Sequence, residues 1–192
     1  MMPDYERAAA TYDETRGGVV RAEAAAEAAA PLLPHGRCLD VGGGTGLVAL
    51  GLLRRGVDVV VLDRSPAMLG LAATRLPGRC VRADASRLPV AASSVDAVLT
   101  MWLLHLLDDA RPVLDEAARV LRPGGVLVTT VDKAAAHGYR DDQPTDREAD
   151  VVTYARALGL RPGARASYVG HGQGRGGGPD PVYPVLTLRL VG

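Results

Sequence analysis

The chain has 192 residues, 47% of them hydrophobic, a size and balance that suit one domain with a substantial core. Its 22 basic and 22 acidic residues cancel. This gives no reason to expect a nucleic-acid partner, since such binders usually show a basic excess or stripe. No run of about 18 uncharged apolar residues is present, so no membrane span is expected.

Residues 4–33 read as helical, from Tyr5 to Thr15, broken at Gly17-Gly18 and resumed from Val19 to Ala30, where Pro31 ends the run. Arg37-Cys38-Leu39-Asp40-Val41 is a short apolar strand. Glycines follow it, then a helix from Leu47 to Arg55 that Gly56 stops. Asp58 to Leu62, nearly pure valine, is a second strand. Ser65-Pro66 then supplies an N-cap with proline at the first helical position, for a helix to about Arg75. Arg79–Ala83 and Val95–Thr100 are the third and fourth strands. Asp108 or Asp109 is expected to cap a helix through Leu121, in which Leu114, Ala117, Ala118 and Leu121 share an apolar face. Gly125–Val131 is a fifth strand. Thr145-Asp146-Arg147-Glu148 reads as a capping box that opens a helix through Leu158, closed by Gly159. Two last strands, about Ala164–Val169 and Tyr183–Val191, are separated by a glycine-rich loop.

Strands alternating with helices imply a parallel sheet covered on both faces. The final pair has no helix between its members, so a hairpin is the simplest link and the last strand is expected to run antiparallel. The fold class is therefore α/β, with seven strands in one mostly parallel sheet. One domain over 1–192 is expected, divided into an N-terminal helical lid segment (1–34) and a core (35–192). The start, Met1 to Arg7, is polar and charged with no apolar h-region behind it, so no signal peptide and a cytoplasmic location are expected. Cys38 and Cys80 sit inside apolar strand-like runs and read as reduced, buried thiols. Lys133 is the one lysine among the 22 basic residues, and alanine, glycine and arginine are abundant. We read that bias as the mark of a GC-rich bacterial genome.

Leu39-Asp40-Val41-Gly42-Gly43-Gly44-Thr45-Gly46 lies between the first strand and its helix. Glycines there permit a tight turn and a close approach of ligand to backbone. The helix N-terminus behind them offers free N–H groups and a positive dipole. Asp63, 17 residues past Gly46, ends the second strand, where its carboxylate can accept from both hydroxyls of a ribose. Together these point to a nucleoside-containing ligand. Gly44-Thr45-Gly46-Leu47-Val48-Ala49 also fits the dinucleotide pattern G-x-G-x-x-G/A, so on these residues alone a nicotinamide cofactor stays open.

Four segments carry a resemblance. Leu39 to Gly46 resembles the first motif of the class I S-adenosylmethionine (SAM)-dependent methyltransferases, particularly the bacterial small-molecule group related to ubiquinone/menaquinone C-methyltransferases. Val61 to Leu69 resembles their second-strand motif, Ala83 to Pro89 their adenine-binding segment, and Arg119 to Gly125 the turn before their fifth strand. The four occur in the family's order, across roughly residues 38–131. The resemblance implies a Rossmann-like sheet and SAM as cofactor. It implies that Asp40, Gly42, Gly44 and Gly46 line the methionine and ribose part of SAM, that Asp63 takes the ribose hydroxyls, and that Asp84 and the Ala85 N–H hold the adenine. It also implies that Thr100 offers its carbonyl to the ammonium, and that Met68 belongs to the cofactor wall. Tyr12-Asp13 with Arg16 resembles the family's N-terminal element, in which the arginine pairs with the SAM carboxylate. The chain departs from the pattern at Gly43, often cysteine or serine, and at Arg64, usually an apolar residue packed on adenine. Arg64 would have to stack instead. The loop Asp132–Pro144 is also shorter than the family's insertion there.

In open parallel sheets, ligands bind beyond the carboxyl ends of the strands. His35 precedes the first strand and falls on the other edge; His105, His137 and His171 follow the fourth, fifth and sixth strands. His105 is the candidate catalytic base and acceptor contact, with Trp102, His137 and Tyr139 as further acceptor contacts. The glycine-rich loop His171–Asp180 reads as a lid or a hairpin tip. Histidine spacing supports no metal site. The expected reaction is direct displacement of the SAM methyl onto a small-molecule acceptor, in specialised metabolism. The rivals are an NAD-dependent oxidoreductase and a non-catalytic SAM-binding partner subunit. A homodimer is left open.

Overall fold

In a computed structural model of the chain, residues 5–137, 145–174 and 178–192 are described. The apolar runs form strands β1 (Arg37–Val41), β2 (Asp58–Asp63), β3 (Cys80–Arg82), β4 (Val95–Thr100), β5 (Leu121–Thr130), β6 (Leu160–Val169) and β7 (Val182–Leu190). They lie in one sheet in the order β3-β2-β1-β4-β5-β7-β6. The first five pair in parallel, and β7 lies antiparallel between β5 and β6. The seven-stranded α/β sheet is thus the expected one.

Helices α1 (Tyr5–Thr15), α2 (Gly18–Ala29), α3 (Leu47–Arg54), α4 (Pro66–Arg75), α5 (Arg111–Val120), α6 (Lys133–Ala136) and α7 (Glu148–Ala157) connect the strands. Both sheet faces are covered. Ala22, Ala25 and Ala26 of α2, Leu52 of α3 and Ala72 of α4 share one core with Val59, Val61 and Leu99. Leu114 and Ala117 of α5 and Val151 and Ala155 of α7 share the other with Leu39, Leu62 and Val98. A central strand buried from both sides must be apolar at successive positions, as β4 is at Ala97, Val98 and Leu99. Among the described residues no helix is long and apolar enough to cross a membrane. Cys38 is buried and Cys80 half-buried, both as free thiols.

Gly46 precedes α3 with φ +76°. A Cβ there would lie 3.1 Å from both Ala72 Cβ and Leu76 Cδ1, so this glycine lets α3 pack against α4. Gly46→Ala is expected to cost ~2–4 kcal/mol, from left-handed backbone strain plus overpacking, read as a lowered urea midpoint with unchanged slope.

The cap at Ser65 is as expected, its hydroxyl accepting from Met68 N at 3.2 Å. Two others differ. Ala110, not an aspartate, is the N-cap of α5; Asp109 instead accepts from Arg111 N at 2.9 Å. The expected capping box is replaced by longer-range partners. Thr145 Oγ1 donates to Leu104 O (2.7 Å) and Leu107 O (2.9 Å), which pins the segment after β4. The first N–H of α7, that of Glu148, donates to Asp132 Oδ1 at 3.1 Å. Asp146 in turn accepts from Lys133 N at 2.8 Å, and the Glu148 carboxylate pairs with Arg165. β5 starts four residues before the expected Gly125, because Leu121 pairs with Val95 ahead of a bulge and Val126 with Ala97 after it. β6 likewise starts at Leu160.

Candidate functional site

The chain steps outward through β1, β2 and β3, then returns to the other side of β1 with β4. Strand order reverses there, and open α/β sheets leave a crevice at that point. A cleft of about 370 Å³ occupies it. Its floor comes from Asp40, Asp63, the segment Ala83–Ser86, and Met101–Leu103. The roof comes from Tyr5 and Tyr12 of α1, Arg21 of α2, and Arg16 in the turn between them.

Gly42 N and Gly43 N donate to Leu62 O (2.7 and 3.3 Å), folding the glycine turn over the end of β2. Gly44 N donates to Asp63 Oδ2 and Ser65 N to Asp63 Oδ1, each at 2.9 Å. One carboxylate therefore ties the turn after β1 to the turn after β2 and keeps lone pairs to spare. A Cβ on Gly44 would meet nothing within 4 Å, whereas one on Gly43 would lie 2.6 Å from Asp40 Oδ2. Asp40 is 1% exposed, and its Oδ2 has no hydrogen-bond partner. Burial, then the nearby Asp63 carboxylate, push its carboxyl up to about 7.

At the rim, Asp84 Oδ1 accepts from Ser86 N (2.8 Å) and Ser86 Oγ (2.7 Å), bonds that hold its carboxyl below the usual range. Ala85 lies beside it, exposed Arg64 on the same rim, and buried Met68 against the floor. The roof is clamped down by residues the sequence reading left without a role. Asp13 accepts from Thr45 Oγ1 at 2.6 Å and from Arg75 at 2.7 Å, and Arg75 also donates to Thr45 O at 2.7 Å. The Tyr12-Asp13 pair was the signal for this clamp. For Arg75 and Thr45 no signal existed short of the fold itself.

Four of the expected site residues stand outside the cleft wall. Gly46 serves helix packing, as above. Thr100 is buried behind the wall, and its carbonyl and that of Thr130 share the single hydroxyl proton of Thr129 (3.2 and 3.1 Å). His137 Nε2 shares a hydrogen bond with Tyr183 OH at 2.7 Å. His105 lies on a 3₁₀ turn (Leu104–Leu106) with its Nε2 3.0 Å from Lys133 Nζ. An ammonium can only donate, so this nitrogen is the acceptor and Nδ1 carries the proton, buried and without a partner. Burial, then Lys133, push the imidazole down to about 3. The basic lone pair of His105 is thus engaged, and its surroundings disfavour protonation. Burial, then Arg21 and Arg16, push Lys133 down to about 8. Trp102 does line the cleft, Tyr139 lies outside the described residues, and His35 is exposed. Among the described residues, no group of three His, Cys, Asp or Glu side chains is placed to hold a metal.

Residues 39–129 match a family described as a methyltransferase domain. An uncharacterised methyltransferase of Mycobacterium tuberculosis is 45% identical over 92 residues, 47% of this chain and 37% of that protein. A demethylmenaquinone methyltransferase of Beutenbergia cavernae is 43% identical over 96 residues, 50% of this chain and 40% of that protein. The chain thus spans less than half the length of these curated relatives. Among solved structures, the CcbJ methyltransferase of Streptomyces caelestis superposes with a TM-score of 0.74 at 18% identity, over 98% of each chain; that likeness is one of fold.

Proposed function

We propose that the chain, whose residues 39–129 match a methyltransferase domain, is a class I SAM-dependent methyltransferase that binds SAM in this cleft and methylates a small-molecule acceptor there. One observation carries the reading: the buried Asp40 oxygen without a partner, beside an Asp63 carboxylate held by Gly44 N and Ser65 N. That floor is negative next to the glycine turn. It suits a ligand with ribose hydroxyls and a cationic amino-acid end. It repels the pyrophosphate that a nicotinamide dinucleotide would lay on the same turn.

In this reading Asp63 accepts from the ribose hydroxyls and Asp40 faces the ammonium. Gly42 and Gly44 give the ligand room against the backbone. Asp84 and the Ala85 N–H take the adenine, with Arg64 stacked on it and Met68 beneath. Tyr12 and Arg16 close on the carboxylate. Gly46 and Thr100 drop out of the set. SAM, when bound, supplies a methyl group on a sulfonium that leaves as a neutral thioether. The protein's part is alignment and exclusion of water, and alignment alone is worth up to ~7–11 kcal/mol. Neutral composition supports a small, non-polymeric acceptor, and the arginine- and alanine-rich bias supports a bacterial specialised-metabolite pathway in the cytoplasm.

Calorimetry with SAM, S-adenosylhomocysteine and NAD tests the cofactor, and release of S-adenosylhomocysteine across an acceptor panel tests transfer. Binding of NAD without SAM would return the oxidoreductase reading. Tight SAM binding with no transfer to any acceptor would return the non-catalytic subunit. With a turning-over acceptor, His105→Ala is expected to lower kcat less than tenfold, because loss of a true general base would cost about 10²–10⁴-fold. A loss in that larger range would restore His105 as the base.

A further inference from the structure

Arg21, which the cofactor reading does not use, is the odd charge in the cleft. It lies in the first turn of α2, is 4% exposed, and lines the cleft wall. Its guanidinium stacks on Trp102, 3.8 Å from the ring centroid. Its Nε is buried without a hydrogen-bond partner, and among the described residues no carboxylate pairs with it. Removing a permanent cation from water costs more than one stacked ring returns.

The surroundings deepen the deficit. Arg16 lines the same cleft and likewise has no acidic partner among the described residues. His105 Nδ1 is a buried donor without an acceptor, while the Trp102 indole N–H has the Tyr168 hydroxyl beside it. The neighbourhood therefore gathers cations, Arg16 and Arg21 both acting on Lys133, with no acidic partner for either arginine among the described residues. SAM brings a single carboxylate, and Arg16 is enough to meet it. One buried guanidinium then remains to be balanced.

Trp102 is set to hold that guanidinium. Its backbone sits at φ +56°, a conformation non-glycine residues adopt at a cost and keep where the surroundings impose it. Its N–H donates to Thr130 Oγ1 at 2.9 Å. Its ring meets Tyr168 edge-on at 6.2 Å, and Tyr168 meets Tyr183 at 5.5 Å. A guanidinium stacked by its face presents its edge, the fork geometry that a planar carboxylate matches with two parallel hydrogen bonds.

Resting on the methyltransferase reading, we propose that Arg21 and Trp102 form the acceptor subsite, and that the acceptor is a carboxylic acid whose carboxylate pairs with Arg21. The anion pairs with the buried cleft-facing cation that the cofactor leaves unmatched. Methylation then occurs at a second group of the same molecule, directed toward the floor by the grip on its carboxylate.

Trp102 is the single tryptophan of the chain, so its emission reports on the subsite. The probe is benzoate, titrated into protein saturated with S-adenosylhomocysteine, with benzamide as its uncharged match and inorganic phosphate as a competing anion. A saturable change with benzoate is expected, at least about tenfold tighter than with benzamide or phosphate. Arg21→Gln is expected to lose it while binding S-adenosylhomocysteine within about threefold of the parent, and to melt higher because an unmatched buried cation is gone. Should the glutamine variant fail to fold, Arg21→Lys is expected to keep preference for benzoate over benzamide at about tenfold lower affinity. Equal titration by benzoate and benzamide, no titration by either, tighter phosphate, or an undiminished response in Arg21→Gln would overturn the proposal. So would a tenfold loss of S-adenosylhomocysteine affinity in that variant, which would give Arg21 to the cofactor carboxylate instead. Failure of the parent protein to bind S-adenosylhomocysteine at all is a separate outcome, and it removes the methyltransferase reading itself.

Discussion

Asp63→Ala is expected to weaken S-adenosylhomocysteine binding by about 10²–10⁴-fold. Two hydrogen bonds from ribose hydroxyls to a charged acceptor account for it, each worth about 1.5–3 kcal/mol at about 1.4 kcal/mol per tenfold. The structure adds a second source of loss. Asp63 also accepts from Gly44 N and Ser65 N at 2.9 Å each, so alanine strands two backbone donors and frees the glycine turn to wander. Asp63→Asn separates these contributions. Its single carbonyl oxygen can serve one of the two turns, while its NH₂ faces the N–H of the other. Affinity is expected to fall between parent and alanine variant, with a stability loss of its own in urea. If the alanine variant binds within threefold of the parent by calorimetry, Asp63 is a structural tie and the nucleoside assignment fails.

The same residues show what was legible in the chain. Asp63, the glycine turn and the Ser65 cap follow from local chemistry at strand ends, where backbone conformation and ligand approach dictate residue type. The sheet was legible for a similar reason: apolar runs of strand length alternating with helices leave few topologies. The failures lie where distant segments compete with local ones. Thr145 and Glu148 have the spacing of a capping box, yet Leu104, Leu107 and Asp132 offer them or their backbone better partners. His105 falls on the ligand edge by strand order, but the 3₁₀ turn that carries it brings its ring to Lys133 from beyond β5. Arg21 had no signal at all. In sequence it is one arginine among alanines on a helix, and its burial over Trp102 exists only once α2 is laid across the sheet edge.

Asp40 sets the second large expectation, a pH dependence of cofactor binding that falls away when this one residue changes. In the ligand-free protein its carboxyl is pushed up to about 7, by burial first and by Asp63 second. A cationic ligand end beside it favours the charged form, so binding and ionisation are coupled. Below pH 7 the free protein holds a proton that the complex releases. Affinity is expected to fall by up to about tenfold per pH unit as acid is added, and to level off above pH 7.5. Calorimetry at pH 6 in two buffers of different ionisation enthalpy should count close to one proton released per cofactor bound. Stability runs the other way. The folded carboxyl titrates above its unfolded value of about 4, so its contribution is complete below pH 4 and is lost as pH rises through 7. The ligand-free protein is therefore expected to melt lower at pH 8 than at pH 6 on account of this residue. Asp40→Asn should remove both slopes together, melting higher than the parent at pH 8 and binding the cofactor weakly at every pH. A parent protein whose affinity is flat from pH 5.5 to 8 would mean that the cationic end of the ligand lies elsewhere, and that the buried carboxyl serves only the turn around Gly43.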